Sequence, residues 1–186
     1  MATEIAKYRF TVAEYQRMSE AGIFREDDRV ELIDGEIVEM APIGIRHSGC
    51  VAALNALLVP AAANRVVVFV QSPIDLNKRT EPQPDLALLK PREDFYRAVR
   101  PNAADVLLAI EVADSSLEYD RGVKAALYAR AGIPEYWLVN LRDNVIEAYR
   151  EPQRSAYRVV ETLRRGDTIQ ASALPDLTVA VSAILG

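Results

Sequence analysis

The sequence predicts an α+β domain. Two observations carry that reading. Strand-like runs rich in β-branched residues are grouped between turn residues, and helical apolar spacing appears in separate stretches. The resulting order is helix, several strands, helix and more strands, without strict alternation. At 186 residues the chain has the length of one domain, with enough material for a sizeable core.

Taken in order, Thr11 reads as the N-cap of a helix over Val12–Ala21, and Glu14 at the third helical position completes a capping box. Arg29–Met40 reads as a hairpin around Asp34-Gly35, a pair suited to left-handed turn dihedrals. That register pairs Ile33 with Glu36 and sets Glu31 and Glu36 on one face. His47–Val59 has helical spacing at Val51, Leu54, Leu57 and Leu58, with Pro60 near its end. Arg65–Leu76 reads as a buried strand built on Val-Val-Val-Phe-Val. A polar turn over Asn77–Gln83 leads to a second strand, Pro84–Lys90; residues 91–104 form a loop, and Asp105–Ala113 is a third strand.

Asp114-Ser-Ser116 offers N-caps for a helix running to about Ala131, with Gly132 as the C′ residue. Val123 and Leu127 are expected on its buried edge. Glu135–Asn140 is a strand carrying the only tryptophan, and Arg142–Asn144 turns it into Val145–Arg150. Tyr157–Leu163 and Thr168–Gln170 extend the antiparallel sheet around Gly166-Asp167. The apolar tail, Leu174–Gly186, is expected to pack on the body.

Composition narrows the function classes. The net charge of −5 comes entirely from residues 1–40, with ten acids against five bases; residues 41–186 hold 17 of each. One cysteine, Cys50, and one histidine, His47, exclude disulfide scaffolds, HExxH zinc sites and His-rich clusters. No uninterrupted apolar run approaches ~20 residues, so no membrane span is expected. The N-terminus MATEIAKYRF lacks the pattern of a secretory leader, which makes the cytoplasm the expected location.

Two carboxylates stand where burial ought to forbid them. Asp85 opens the run Asp-Leu-Ala-Leu-Leu89, and Glu111 lies in Val-Leu-Leu-Ala-Ile-Glu-Val112. Each needs a compensating cation in such surroundings. If their strands are antiparallel neighbours, the two acids become adjacent on one face and form a pair of hard oxygen ligands for Mg²⁺ or Mn²⁺. Asp120, Lys124 and Tyr128 form one stripe on the following helix, and the short connection lets Lys124 swing over the carboxylates. Two acids, a divalent cation and a lysine are the parts needed to hydrolyse a phosphodiester.

Glu81-Pro-Gln-Pro-Asp85 followed by Ile110-Glu-Val-Ala113 resembles the PD-(D/E)xK nuclease signature. More specifically, the chain resembles the Uma-two family of restriction-endonuclease-like proteins. The matching segments are Val30–Glu36, Met40-Ala-Pro42 with His47 after it, Pro84-Asp85 and Glu111–Ser116. They continue through Asp120-x-x-x-Lys124-x-x-x-Tyr128 and Gly132–Val139, from about residue 10 to about residue 150. The resemblance implies one restriction-endonuclease-like domain over residues 1–186, with a central mixed sheet flanked by helices. It implies Asp85 and Glu111 as metal ligands, Lys124 as the catalytic lysine moved onto the helix, and Glu31 as an additional acid. The departure from the superfamily pattern is Ala113, two residues after Glu111, where a lysine normally stands.

The expected function is therefore a Mg²⁺- or Mn²⁺-dependent DNA endonuclease, expected to be a homodimer because cutting both strands calls for two sites. The alternative is a catalytically inactive module on the same fold that binds nucleic acid or protein. A carboxylate-pair glycosidase leaves Lys124 without a role. Simpler roles stand beside each residue. Asp85 serves equally as a turn cap, Glu111 as the partner of an arginine, Lys124 as a solvated partner of Asp120, and Glu31 and Glu36 as exposed hairpin residues. Asp120 reads as an orienter of Lys124 or a helix cap, and His47 as a cap, a packing residue or a site residue. Tyr136 and Trp137 read as core aromatics.

Overall fold

The computed structural model describes residues 6–186, so the N-terminal leader reading lies partly outside the described residues. Helix α1 (Val12–Glu20) has the expected reciprocal capping box between Thr11 and Glu14. Strands β1 (Val30–Ile33) and β2 (Glu36–Glu39) form the hairpin in the expected register, Ile33 opposite Glu36. Asp34 and Gly35 both adopt positive φ, 48° and 81°. A Cβ on Gly35 would lie 2.8 Å from the Arg9 Cβ, so the turn needs glycine for space as well as for dihedral freedom.

Helix α2 (Ile45–Ala62) is longer than expected and keeps Pro60 inside its last turn. By length and composition alone it is long and apolar enough to cross a membrane, a property that core helices share. Here its Cys50, Val51, Leu54, Leu58 and Ala62 pack into the core. Strand β3 is only Val67–Val70 and does not reach Leu76. Gln71 takes a φ of +43° and ends the ladder, and the chain turns away toward the hairpin.

The main sheet has six strands in the order β3-β4-β5-β6-β7-β8. Beyond β3 these are β4 (Leu86–Leu89), β5 (Val106–Ala113), β6 (Glu135–Asn140), β7 (Val145–Gln153) and β8 (Ala156–Arg164). Only β5 and β6 run parallel; the other neighbours are antiparallel. A parallel pair requires a crossover, and here it is helical: α3 (Leu117–Tyr119), a π turn (Asp120–Lys124) and α4 (Ala125–Arg130), ending at Gly132 with a φ of +76°. In the π turn the Ala125 N–H reaches back five residues to the Asp120 carbonyl. That extra residue rotates the helix surface, so Val123 faces solvent while Leu127 remains buried, against the expectation for Val123. Ser116 makes no side-chain cap to the helix backbone; its hydroxyl donates to Asp120.

Strands β9 (Thr168–Gln170) and β10 (Thr178–Ala180) pair only with each other, which corrects the expectation that Thr168–Gln170 extends the main sheet. The tail folds onto the body as expected. Leu174, Val179, Val181 and Ile184 join the core, the last two from α5 (Val181–Leu185), and are thereby committed to their own chain.

Side-chain alternation divides the core into two layers. Leu86, Leu88, Leu108, Ile110, Val112, Trp137 and Val139 face α2 and α5. Ala87, Leu89, Ala109, Ala113, Tyr136 and Leu138 face the crossover helix with Leu127 and Tyr128. Asp85 and Glu111 have the parity of the second set, so the fold turns both acids toward the face that carries Lys124.

Candidate active site

Strand register builds the first half of the site. Leu86 pairs with Ile110, and continuing that antiparallel ladder by one residue sets Asp85 beside Glu111. Asp85 Oδ2 accepts the Val112 N–H at 2.9 Å, a direct tie between the two strands. The same oxygen lies 3.0 Å from His47 Nε2 at the start of α2, and Gln71 Nε2 donates to Oδ1 at 3.3 Å. His47 therefore belongs to the site and does not serve only as a cap.

The hairpin supplies the second half. Leu32 and Glu81 exchange backbone hydrogen bonds of 3.3 and 2.7 Å, which docks β1 against the segment leading to Asp85. Glu31 is turned inward, where its Oε2 accepts from the Gln83 N–H at 3.2 Å and lies 2.8 Å from Lys124 Nζ. Lys124 Nζ also donates to Glu111 Oε1 at 3.0 Å, and the Tyr128 hydroxyl donates to the same oxygen at 2.7 Å. Lys124 is 2% exposed and Glu31 3%, so neither is a solvated surface residue. The partner of Glu111 is a lysine and not an arginine. Glu36 points away to Arg9, at 2.8 Å, and does not join the site. Lys90, Arg97 and Arg100 do not reach it either: their loop follows the far end of β4, and Arg100 pairs with Glu81.

His47, Asp85, Glu111 and Lys124 line a cavity of about 710 Å³ that also includes Arg29, Gly44, Ser116, Tyr119 and Asp120. Burial pushes the Glu111 carboxyl up to about 8, with Lys124 opposing and Asp120, Asp85 and Glu31 reinforcing. Burial likewise raises Asp120 to about 6 against the pull of Lys124 and of the Ser116 hydroxyl. Burial disfavours the Lys124 charge, but Glu111, Glu31 and Asp120 outweigh it and hold the ammonium above the usual lysine range. Lys124 is thus a fixed positive charge. Cys50 is buried, its thiol pushed up to about 12 by desolvation, so it is no nucleophile.

Four acids (Glu31, Asp85, Glu111 and Asp120) share the neighbourhood of one buried cation. That surplus of hard oxygen donors fits a divalent cation. Among the described residues no three His, Cys, Asp or Glu side chains are grouped to hold a metal unaided. Mg²⁺ does not require such a cage, because it keeps several waters and is commonly held by one or two carboxylates plus substrate phosphate. Asp85 and Glu111 would be those carboxylates.

Asp85, Glu111, Lys124 and Glu31, all singled out in the sequence, converge here. Arg29, Gln71 and Tyr119 were missed. Gln71 reaches Asp85 only because its own positive φ ends β3, and nothing local in the sequence signals that. Tyr119 had a signal, since it directly precedes Asp120 on the motif-bearing helix.

Comparison with known proteins agrees with the fold. No protein of curated function matches the sequence. A crystal structure titled as a putative nuclease belonging to DUF820, from Anabaena variabilis, superposes with a TM-score of 0.70 at 17% identity, covering 95% of this chain and 97% of that one. A family model described as "Uma2: Putative restriction endonuclease" matches residues 12–182. With nearly its whole length matched, the chain belongs to the Uma2 family.

Proposed function

We propose that the protein is a divalent-cation-dependent DNA endonuclease that hydrolyses phosphodiester bonds at the Asp85–Glu111–Lys124 cavity. The observation that carries this reading is Lys124: a buried ammonium held at 2.8 and 3.0 Å by Glu31 and Glu111, beside Asp85 in one cavity. Asp85 and Glu111 would hold Mg²⁺ or Mn²⁺. When bound, such a cation supplies Lewis-acid polarisation of the phosphate. Lys124, held protonated, cannot serve as a general base. Its role is to orient the attacking water and to stabilise charge as it develops on the phosphoryl oxygens. Glu31 positions Lys124, and His47 and Gln71 position Asp85. Arg29, half-buried on the cavity wall with its guanidinium on the Ala41 carbonyl at 2.6 Å, is a cation for the DNA backbone.

The position of the lysine supports the nuclease reading over the inactive module. Ala113 stands where the nuclease signature has its lysine, and the crossover helix brings Lys124 to Glu111 by another route. Two-strand cleavage calls for a homodimer, with a surface other than the buried tail residues as its interface. The test is nicking of supercoiled plasmid with Mg²⁺ or Mn²⁺. Wild type is expected to nick, while folded Asp85→Ala and Lys124→Ala variants do not. Robust nicking by both variants removes the assignment, and metal-insensitive DNA binding without any nicking favours the inactive module.

A further inference from the structure

The chain has eight tyrosines, and seven hydroxyls donate a hydrogen bond within the protein. Tyr8 donates to Glu14, Tyr128 to Glu111 and Tyr149 to Glu147. Tyr15, Tyr96, Tyr136 and Tyr157 donate to the carbonyls of Val30, Lys90, Asp120 and Ile133. Tyr119 is the exception. Its hydroxyl is buried without a partner among the described residues, and its side chain lines the cavity. A buried donor left unpaired is unfavourable, and a phenylalanine would fill the same place without that defect. An unpaired donor at this position is therefore matched to an acceptor that arrives from outside.

We propose that the Tyr119 hydroxyl is the cavity's hydrogen-bond donor to a non-bridging oxygen of the scissile phosphodiester. The inference rests on the nuclease reading and adds a catalytic group to it. Tyr119 closes α3 and immediately precedes the π turn that begins at Asp120 and ends at Lys124. Its side chain lines the same cavity as Asp85, Glu111, Asp120 and Lys124, which places it at the acid cluster. Burial and the acids Glu31, Asp120 and Glu111 raise the phenol above the ordinary tyrosine range, so at neutral pH it keeps its proton and remains a donor. An acceptor oxygen entering beside Lys124 meets a cation and a neutral O–H together, the combination that stabilises charge developing on a phosphoryl oxygen.

The experiment is Tyr119→Phe in the full chain, assayed by steady-state cleavage of a short duplex DNA with Mn²⁺ and by thermal unfolding. The expected result is a fall in kcat of about 100-fold with KM within about twofold, as for loss of one donor to a transition-state oxyanion. Tm should be equal to or above that of wild type, because the lost hydroxyl had no partner. A variant that matches the wild-type kcat, or that loses Tm together with activity, overturns the role of Tyr119 and leaves the nuclease reading intact. A folded wild type that neither cleaves nor binds the duplex overturns both.

Discussion

Replacing Lys124 by Met should destabilise the protein strongly, and in a way that depends on pH. Methionine keeps most of the apolar stem in place, so the change removes the charge and its two contacts, 2.8 Å to Glu31 and 3.0 Å to Glu111. Breaking a buried ion pair from one side typically costs about 3–5 kcal/mol, because the remaining charge stays buried and unpaired. For a chain of this size that corresponds to a fall in Tm of roughly 6–20 °C. The penalty should shrink in acid. Lys124 is the principal group opposing the upward shift of Glu111, so in the variant that carboxyl takes a proton more readily. A second substitution, Glu111→Gln, should recover part of the loss by removing one orphaned acid. Urea unfolding of the four proteins in this cycle at pH 8 and pH 6 measures all three effects. A single variant Lys124→Met within about 0.5 kcal/mol of wild type at pH 8, the range of ordinary surface substitutions, would show that the Lys124 charge is not paired in this way.

Two further predictions concern the scaffold. Glu81 is 4% exposed, and burial pushes its carboxyl up to about 7 despite Gln16 and Arg100 beside it. The folded chain thus binds this proton more tightly than the unfolded one. Stability from Glu81 is full below about pH 4.5 and is lost as pH rises to about 7. Glu81→Gln should therefore gain on wild type across that window in thermal melts, and a gap that does not change with pH would contradict this. Gly35→Ala places a side chain at a φ of +81° and against Arg9, and should cost about 1–3 kcal/mol in denaturant unfolding.

Much of this architecture is legible from local chemistry. Asp34-Gly35 encodes the hairpin, Thr11 and Glu14 encode the start of α1, and the pairing of Asp85 with Glu111 follows once two apolar runs, one opened by an acid and one carrying an acid near its end, pair antiparallel. The stripe of Asp120, Lys124 and Tyr128 is readable from its spacing by four, and all three are buried. What was not legible depends on contacts distant in sequence. Thr168–Gln170 has no local reason to choose β10 over β8. Val123 is exposed because a π turn shifts the helix surface, and that turn leaves no pattern in residue type. Glu31 and Glu36 look alike in the hairpin. Only the docking of Leu32 on Glu81 sends one inward to Lys124 and leaves the other with Arg9. Arg29 and Tyr119 matter through the cavity they line, and that cavity exists only after the hairpin, α2 and the crossover helix have met.

The proposed chemistry requires Asp85 and Glu111 to hold a divalent cation together. A crystal of the wild-type protein soaked in Mn²⁺, read by anomalous scattering, answers this directly. One ion is expected between the two carboxylates, facing the cavity, and it should be lost in Asp85→Ala. No ion there, with the two acids far apart, would contradict it.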